Sequence, residues 1–204
     1  MKRPAATTPV PAAVSRRSVL FGMLAGASSA LAEESPRIPS LVQDGRSFVF
    51  IEPMPMAPRV MLLRRDGVRV PLLDRSDPRP ILLNFWATWC PPCRVEIPFL
   101  QKLYNPKDRS QPRVLPVSID KGGNRDVAPF LAKYGVNSLP VFLDPKMEVG
   151  QNPRGAASGY PLLLHWLPLS YVIAANGLIV GYFPGVIDWR QDMARSFFAA
   201  VDQL

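Results

Sequence analysis

The sequence predicts an α/β fold: a central mixed sheet flanked by helices, with an N-terminal β-hairpin extension. Three observations carry this prediction. Ile81-Leu-Leu-Asn-Phe-Trp86 is a continuous apolar run of buried-strand length, and it leads directly into a loop that holds both cysteines of the chain, Cys90 and Cys93. Segments of helical and strand period then alternate, as they do when a helical crossover joins parallel strands. Near the end, Leu169 to Ala174 and Leu178 to Phe183 flank Asn176-Gly177, a strong short-range hairpin signal.

The elements follow in order. Ser47 to Ile51 and Arg59 to Leu63 read as strands, Arg65-Asp66-Gly67 as a turn, and Val68 to Leu72 as the returning strand of a hairpin. After the loop Arg75 to Pro80 comes the apolar strand Ile81 to Trp86, then a helix with Val95, Phe99, Leu100 and Leu103 on its inner face and a kink at Pro98. Arg113 to Ile119 is a strand, Asn124 a candidate N-cap, and Val127 to Tyr134 a helix ending at Gly135. Val141 to Leu143 is a short strand, Pro145 to Ala157 a helix or a loop. The terminal hairpin precedes an amphipathic helix, Asp188 to Val201, with Trp189, Met193, Phe197 and Val201 inward.

The 204 residues, 48% of them hydrophobic, allow one ordinary domain with a sizeable core. The net charge of +8 suggests a nucleic-acid partner only until it is divided along the chain. Lys2, Arg3, Arg16 and Arg17 stand in the first 32 residues without an acid, which leaves 20 basic against 16 acidic residues for the rest. Arg64, Arg65, Arg69, Arg75 and Arg79 are interleaved with Asp66, Asp74 and Asp77 and lack aromatic partners for bases. They read as a solvated hairpin face, and no nucleic-acid partner is expected.

Residues 1-32 read as an export signal. A basic entry with Arg16-Arg17 is followed by the apolar run Val19 to Ala32, which ends in the small-residue cleavage pattern Ala30-Leu31-Ala32. Fourteen residues are too few for a span of about 20. Ser15-Arg16-Arg17-Ser18-Val19-Leu20 resembles a twin-arginine signal, although Val19 replaces the usual Phe. General secretion or a retained anchor is the alternative, and membrane contact is expected only in the latter case. Residues 33-58 then form an N-terminal extension and 59-204 the main domain.

Cys90 and Cys93 are separated by Pro91 and Pro92. This spacing lets both sulfurs lie at the start of one helix, where a disulfide opens and closes with little backbone movement. Redox exchange is the chemistry it points to. In an oxidising compartment such a pair stays a disulfide unless a dedicated electron source reduces it.

Leu83-Asn-Phe-Trp-Ala-Thr-Trp-Cys-Pro-Pro-Cys-Arg-Val-Glu-Ile-Pro98 resembles the TlpA/ResA/CcmG (DsbE) group of exported thioredoxin-like proteins, and TlpA most of all. Val117-Ser-Ile-Asp120, Phe130 to Gly135 and Leu139-Pro-Val-Phe-Leu-Asp144 agree with TlpA in the same order. The resemblance covers about residue 59 to the end. It implies a thioredoxin-like fold and a periplasmic thiol:disulfide oxidoreductase without cofactor. Cys90 is then the nucleophile, favoured as a thiolate at a helix N-terminus, and Cys93 the resolving thiol of a redox-active disulfide. Trp89 would shield the pair or pack in the core.

Glu96, one turn beyond Cys93, matches an acid of ResA- and CcmG-like proteins and is expected to tune a cysteine or carry its proton; alone it also suits the dipole of a first helical turn. Asn84 occupies the strand position where ordinary thioredoxins carry a buried acid. Pro168, at the head of the terminal hairpin, is preferred over Pro140 as the family's cis-proline beside the disulfide. Trp89, Pro91, Pro92, Leu167 and Pro168 are the residues expected to meet substrate. Leu162 to Leu167 is bulkier than in TlpA-like proteins and is either an apolar rim for a partner or a helix packed in the core.

The implied function is reduction of disulfides in apocytochrome c or in copper-site assembly proteins of an oxidase, with electrons from a membrane thiol reductant resembling DsbD or CcdA. The rival is a copper-binding assembly chaperone resembling Sco, with Cys90, Cys93 and the sole histidine, His165, as donors. Met54, Met56 and Met61 add thioethers but read better as hydrophobic filler. No resident metal is expected.

Overall fold

The computed structural model describes residues 38–204, so the signal assigned to 1–32 lies outside the described residues. The strands are β1 (Val42–Gln43), β2 (Arg46–Ser47), β3 (Val49–Phe50), β4 (Met61–Arg64), β5 (Arg69–Pro71), β6 (Ile81–Trp86), β7 (Arg113–Ser118), β8 (Phe142–Leu143), β9 (Leu169–Ile173) and β10 (Ile179–Pro184). The helices are α1 (Pro91–Leu103), α2 (Asn124–Lys133) and α3 (Asp192–Val201). Eight strands form one mixed sheet in the order β3-β10-β9-β6-β7-β8-β4-β5, and β1 and β2 make a separate small hairpin.

The centre of the sheet is the predicted parallel crossover followed by the predicted antiparallel hairpin. β6 pairs with β7 in parallel across α1, and β9 pairs antiparallel with both β6 and β10. β6 lies in the middle because all six of its residues are buried, which only a strand covered on both faces allows. Its register places Asn84 beside Ser170. The segment before residue 59 joins this sheet through β3, which pairs with β10, while Leu41 and Phe48 enter the core.

The two faces of the sheet are covered differently. All three helices contribute to one hydrophobic cluster, through residues such as Ile97 and Leu100 of α1, Val127 of α2 and Phe197 of α3. The opposite face, around Leu83, Phe85, Tyr171 and Ile173, is closed by Val149, Leu162 and Leu164 from a connection without a helix. The expected helix or loop over 145–157 is therefore a loop. Asp144 organises it: its buried carboxylate accepts the backbone N–H groups of Glu148, Val149 and Gly150 at 2.7, 3.0 and 2.9 Å. Tyr160 donates to the carbonyl of Val149 and Tyr171 to that of Leu163, both at 2.7 Å.

Several local expectations need correction. Val95 is 54% exposed, and the inner face of α1 is Cys93, Glu96, Ile97, Leu100 and Leu103. Asn124 does not cap α2; Gly123 occupies that position, and the Asn124 side chain accepts from Arg65. α3 starts at Asp192 because Asp188 holds Arg190 in a local turn, through both its backbone N–H and its guanidinium. Arg79 is not part of a solvated face. Its side chain is largely buried, paired with Asp77 at 2.8 Å and bonded to the carbonyls of Asp108 and Gln111.

Candidate active site

β6 ends at Trp86, and the chain turns through Ala87, Thr88 and Trp89 into α1. The turn is closed by a bond from Cys90 N–H to the Ala87 carbonyl at 3.2 Å. α1 begins with two prolines, which lack the N–H that a first turn leaves unpaired and hold the φ a helix requires. Cys90 is the N-cap. Its sulfur accepts the N–H of Cys93 at 3.3 Å, in the place usually taken by a serine or aspartate oxygen.

The two cysteines form a disulfide with 5.3 Å between their Cα atoms. Both are buried, Cys93 completely and Cys90 with 4% of its surface open. Cys90 is thus the less enclosed of the two. Trp89 beside it is 61% exposed, which rules out the core-packing reading of this residue.

Glu96 lies one turn beyond Cys93 on the same buried face of α1, with no exposed surface. It accepts from Asn84 Nδ2 on β6 at 2.9 Å, from the indole N–H of Trp189 at 3.3 Å and from the backbone N–H of Ile187 at 3.4 Å. Asn84 Nδ2 also donates to Ser170 Oγ at 2.9 Å, while its Oδ1 has no partner. No cation is paired with this carboxyl among the described residues. Loss of hydration outweighs the three donors and raises its pKa from the ordinary 4.5 to about 7. A carboxyl poised there can hold or release a proton near neutral pH.

The Leu167–Pro168 peptide is cis and heads β9, the neighbour of β6; Leu139–Pro140 is not cis. Leu167 is half-buried. The preceding segment is neither a core helix nor wholly outward. Leu162 and Leu164 are buried, whereas His165 and Trp166 project, with Trp166 45% exposed and its ring 6.3 Å from that of Tyr182. Among the described residues no three His, Cys, Asp or Glu side chains are gathered as a metal donor set, so Cys90, Cys93 and His165 do not converge.

Sequence reasoning recognised Asn84 only as a missing acid. The structure makes it the donor that meets Glu96. Ser170 and Trp189 were likewise unassigned to the site. A polar residue inside an otherwise apolar central strand, as at Asn84, is the signal that could have found this group.

The AhpC/TSA family model matches residues 54–181. The thiol:disulfide interchange protein DsbE of Pseudomonas fluorescens biotype C is 34% identical over 137 residues, which cover 64% of this chain and 68% of that protein. The thiol-disulfide oxidoreductase ResA of Bacillus subtilis strain 168 is 36% identical over 132 residues, covering 64% of this chain and 66% of its own length. The chain thus spans about two thirds of these curated relatives. The crystal structure of a secreted thiol-disulfide isomerase from Corynebacterium glutamicum superposes with a TM-score of 0.60 over 80% of this chain and 99% of that one; at 21% identity, this similarity shows the thioredoxin-like fold alone. On its family match, and with a Cys-x-x-Cys disulfide at a helix start, the chain belongs to the AhpC/TSA family of thioredoxin-like proteins and is a thiol-disulfide oxidoreductase of the DsbE and ResA type.

Proposed function

We propose that the protein is exported to the periplasm and reduces disulfides in proteins that await a cofactor, either apocytochrome c or a copper-site assembly protein. The observation that carries the reading is the pairing of a Cys90–Cys93 disulfide with the buried carboxyl of Glu96 one turn away, held by Asn84 and Trp189. In this reading residues 1–32 direct export, 33–58 form an extension and 59–204 the working domain. No helix among the described residues is long and apolar enough to cross a membrane.

The reaction starts from the dithiol. The Cys90 thiolate, favoured by the α1 N-terminus, attacks one sulfur of the substrate disulfide and displaces the other as a thiolate. Cys93 then loses its proton to Glu96 and attacks the Cys90 sulfur of the mixed disulfide, which releases the second substrate thiolate. Glu96 then gives up the proton it took, and this proton together with the one Cys90 released on becoming a thiolate neutralises the two substrate thiolates; two electrons and two protons are thereby transferred, and the Cys90–Cys93 disulfide is left. A membrane thiol reductant resembling DsbD or CcdA returns the electrons. Trp89, Pro91, Pro92 and Leu167 form the surface that receives the substrate chain, extended along the Leu167 edge, and the buried cis-Pro168 behind it sets the course of that edge.

Trapping tests this directly. Cys93→Ser in cells leaves Cys90 able to form, but not resolve, a mixed disulfide. Recovery of haem-attachment or copper-assembly proteins on Cys90 supports the reading. Absence of any covalent partner, together with stoichiometric copper on the reduced protein, would replace it with the copper-chaperone alternative.

A further inference from the structure

Thr88 joins the end of β6 to the disulfide turn, and its three polar groups are all engaged. Its N–H donates to Asp120 Oδ2 at 2.9 Å and its hydroxyl to Asp120 Oδ1 at 2.7 Å. Its carbonyl accepts from Arg94 Nε at 2.7 Å. Asp120 is 1% exposed, and its Oδ2 takes a further bond from Ser118 Oγ at 2.6 Å. Ser118 Oγ in turn accepts the Asp120 N–H at 3.1 Å, so the carboxylate is itself fixed at the end of β7. The neighbouring backbone is tied as well, by Ile119 N–H to the Trp86 carbonyl at 2.9 Å.

These contacts hold the two residues that flank Trp89 but leave its indole in solvent. Thr88 is clamped from both sides, and Cys90 is fixed as the N-cap of α1. An exposed aromatic on an immobilised backbone loses little freedom when a chain docks on it, and such preorganisation raises affinity without adding a contact.

We propose that Asp120 and Arg94 are positioning residues which, through Thr88, hold Trp89 and Cys90 as a preformed platform for a polypeptide disulfide; the inference rests on the thiol-exchange reading above. It separates substrates by size. A peptide disulfide must lie against Trp89, whereas a small disulfide needs only access to Cys90.

The test compares reduction of a disulfide-linked peptide dimer with reduction of hydroxyethyl disulfide by the dithiol protein. Thr88→Val keeps the side-chain shape and removes the hydroxyl bond, and Arg94→Met acts at an exposed position where folding is not at stake. In each variant kcat/KM for the peptide is expected to fall about tenfold, mainly through KM, as befits loss of one bond to a charged group. The rate with hydroxyethyl disulfide is expected to change less than about twofold, and the backbone order parameter of Trp89 to drop from about 0.85. Parallel losses with both substrates, no loss with either, or an unchanged order parameter would overturn the proposal. Failure of the unmodified protein to reduce either disulfide would overturn the oxidoreductase reading beneath it.

Discussion

Glu96→Gln isolates the contribution of one buried carboxyl. A carboxyl whose pKa is higher in the folded chain than in the unfolded one binds extra proton in the native state. Stability therefore falls as pH rises from 4.5 through about 7 and levels off above. The gap between these two values corresponds to about 3 kcal/mol at 1.36 kcal/mol per pH unit. Gln stays neutral at every pH and can keep the geometry. Its carbonyl can accept from Trp189 and Ile187, and its amide can donate to Asn84 Oδ1, which is otherwise unpartnered, once the Asn84 amide turns over. Urea unfolding with the disulfide intact, run on both proteins from about pH 4 to about pH 8, reads the difference while all other titrating groups cancel. Glu96→Gln is expected to gain about 3 kcal/mol relative to the parent across that range. A difference that does not vary with pH would refute the reasoning.

Other substitutions probe the same neighbourhood. Trp189→Phe removes a donor that lowers the Glu96 pKa, so that group should titrate above about 7, followed by carboxyl carbon NMR, at a stability cost of about 1 kcal/mol. Asn84→Asp places a second carboxyl where a donor now stands 2.9 Å from Glu96. The two cannot both ionise, and unfolding near pH 8 should become easier by several kcal/mol, with much of that loss recovered near pH 4. Gly150→Ala puts a methyl 2.6 Å from the Phe85 ring and 2.7 Å from Leu164. A loss of about 1 to 3 kcal/mol in chemical unfolding is expected, because both neighbours are core side chains with no room to move.

The centre of the fold was legible because its signals are local. Ile81–Trp86 is bounded as the apolar run predicts, and Asn176-Gly177 turns the terminal hairpin with Gly177 at φ +90°. The inner face of α1 was misread for a physical reason. An apolar stripe selects Val95 and Phe99, but the face that packs inward includes Cys93 and Glu96, whose burial is imposed by the site. The loop over 145–157 could not be read from periodicity, since a single carboxylate, Asp144, organises it through three backbone donors. The partners of Glu96 come from β6, the residues before α3 and the loop at Ile187, and β9 adds Ser170 behind Asn84. Such a convergence depends on tertiary packing, which no local spacing encodes.

The direction of electron flow is the central claim, and equilibration of the purified Cys90–Cys93 pair with glutathione redox buffers tests it most directly. Proteins with this motif range from about −270 mV for reductants to about −120 mV for strong oxidants. A reductant that is recharged by a membrane donor should lie towards the lower end, below about −200 mV. A potential near about −120 mV would contradict the account and make the protein a disulfide donor.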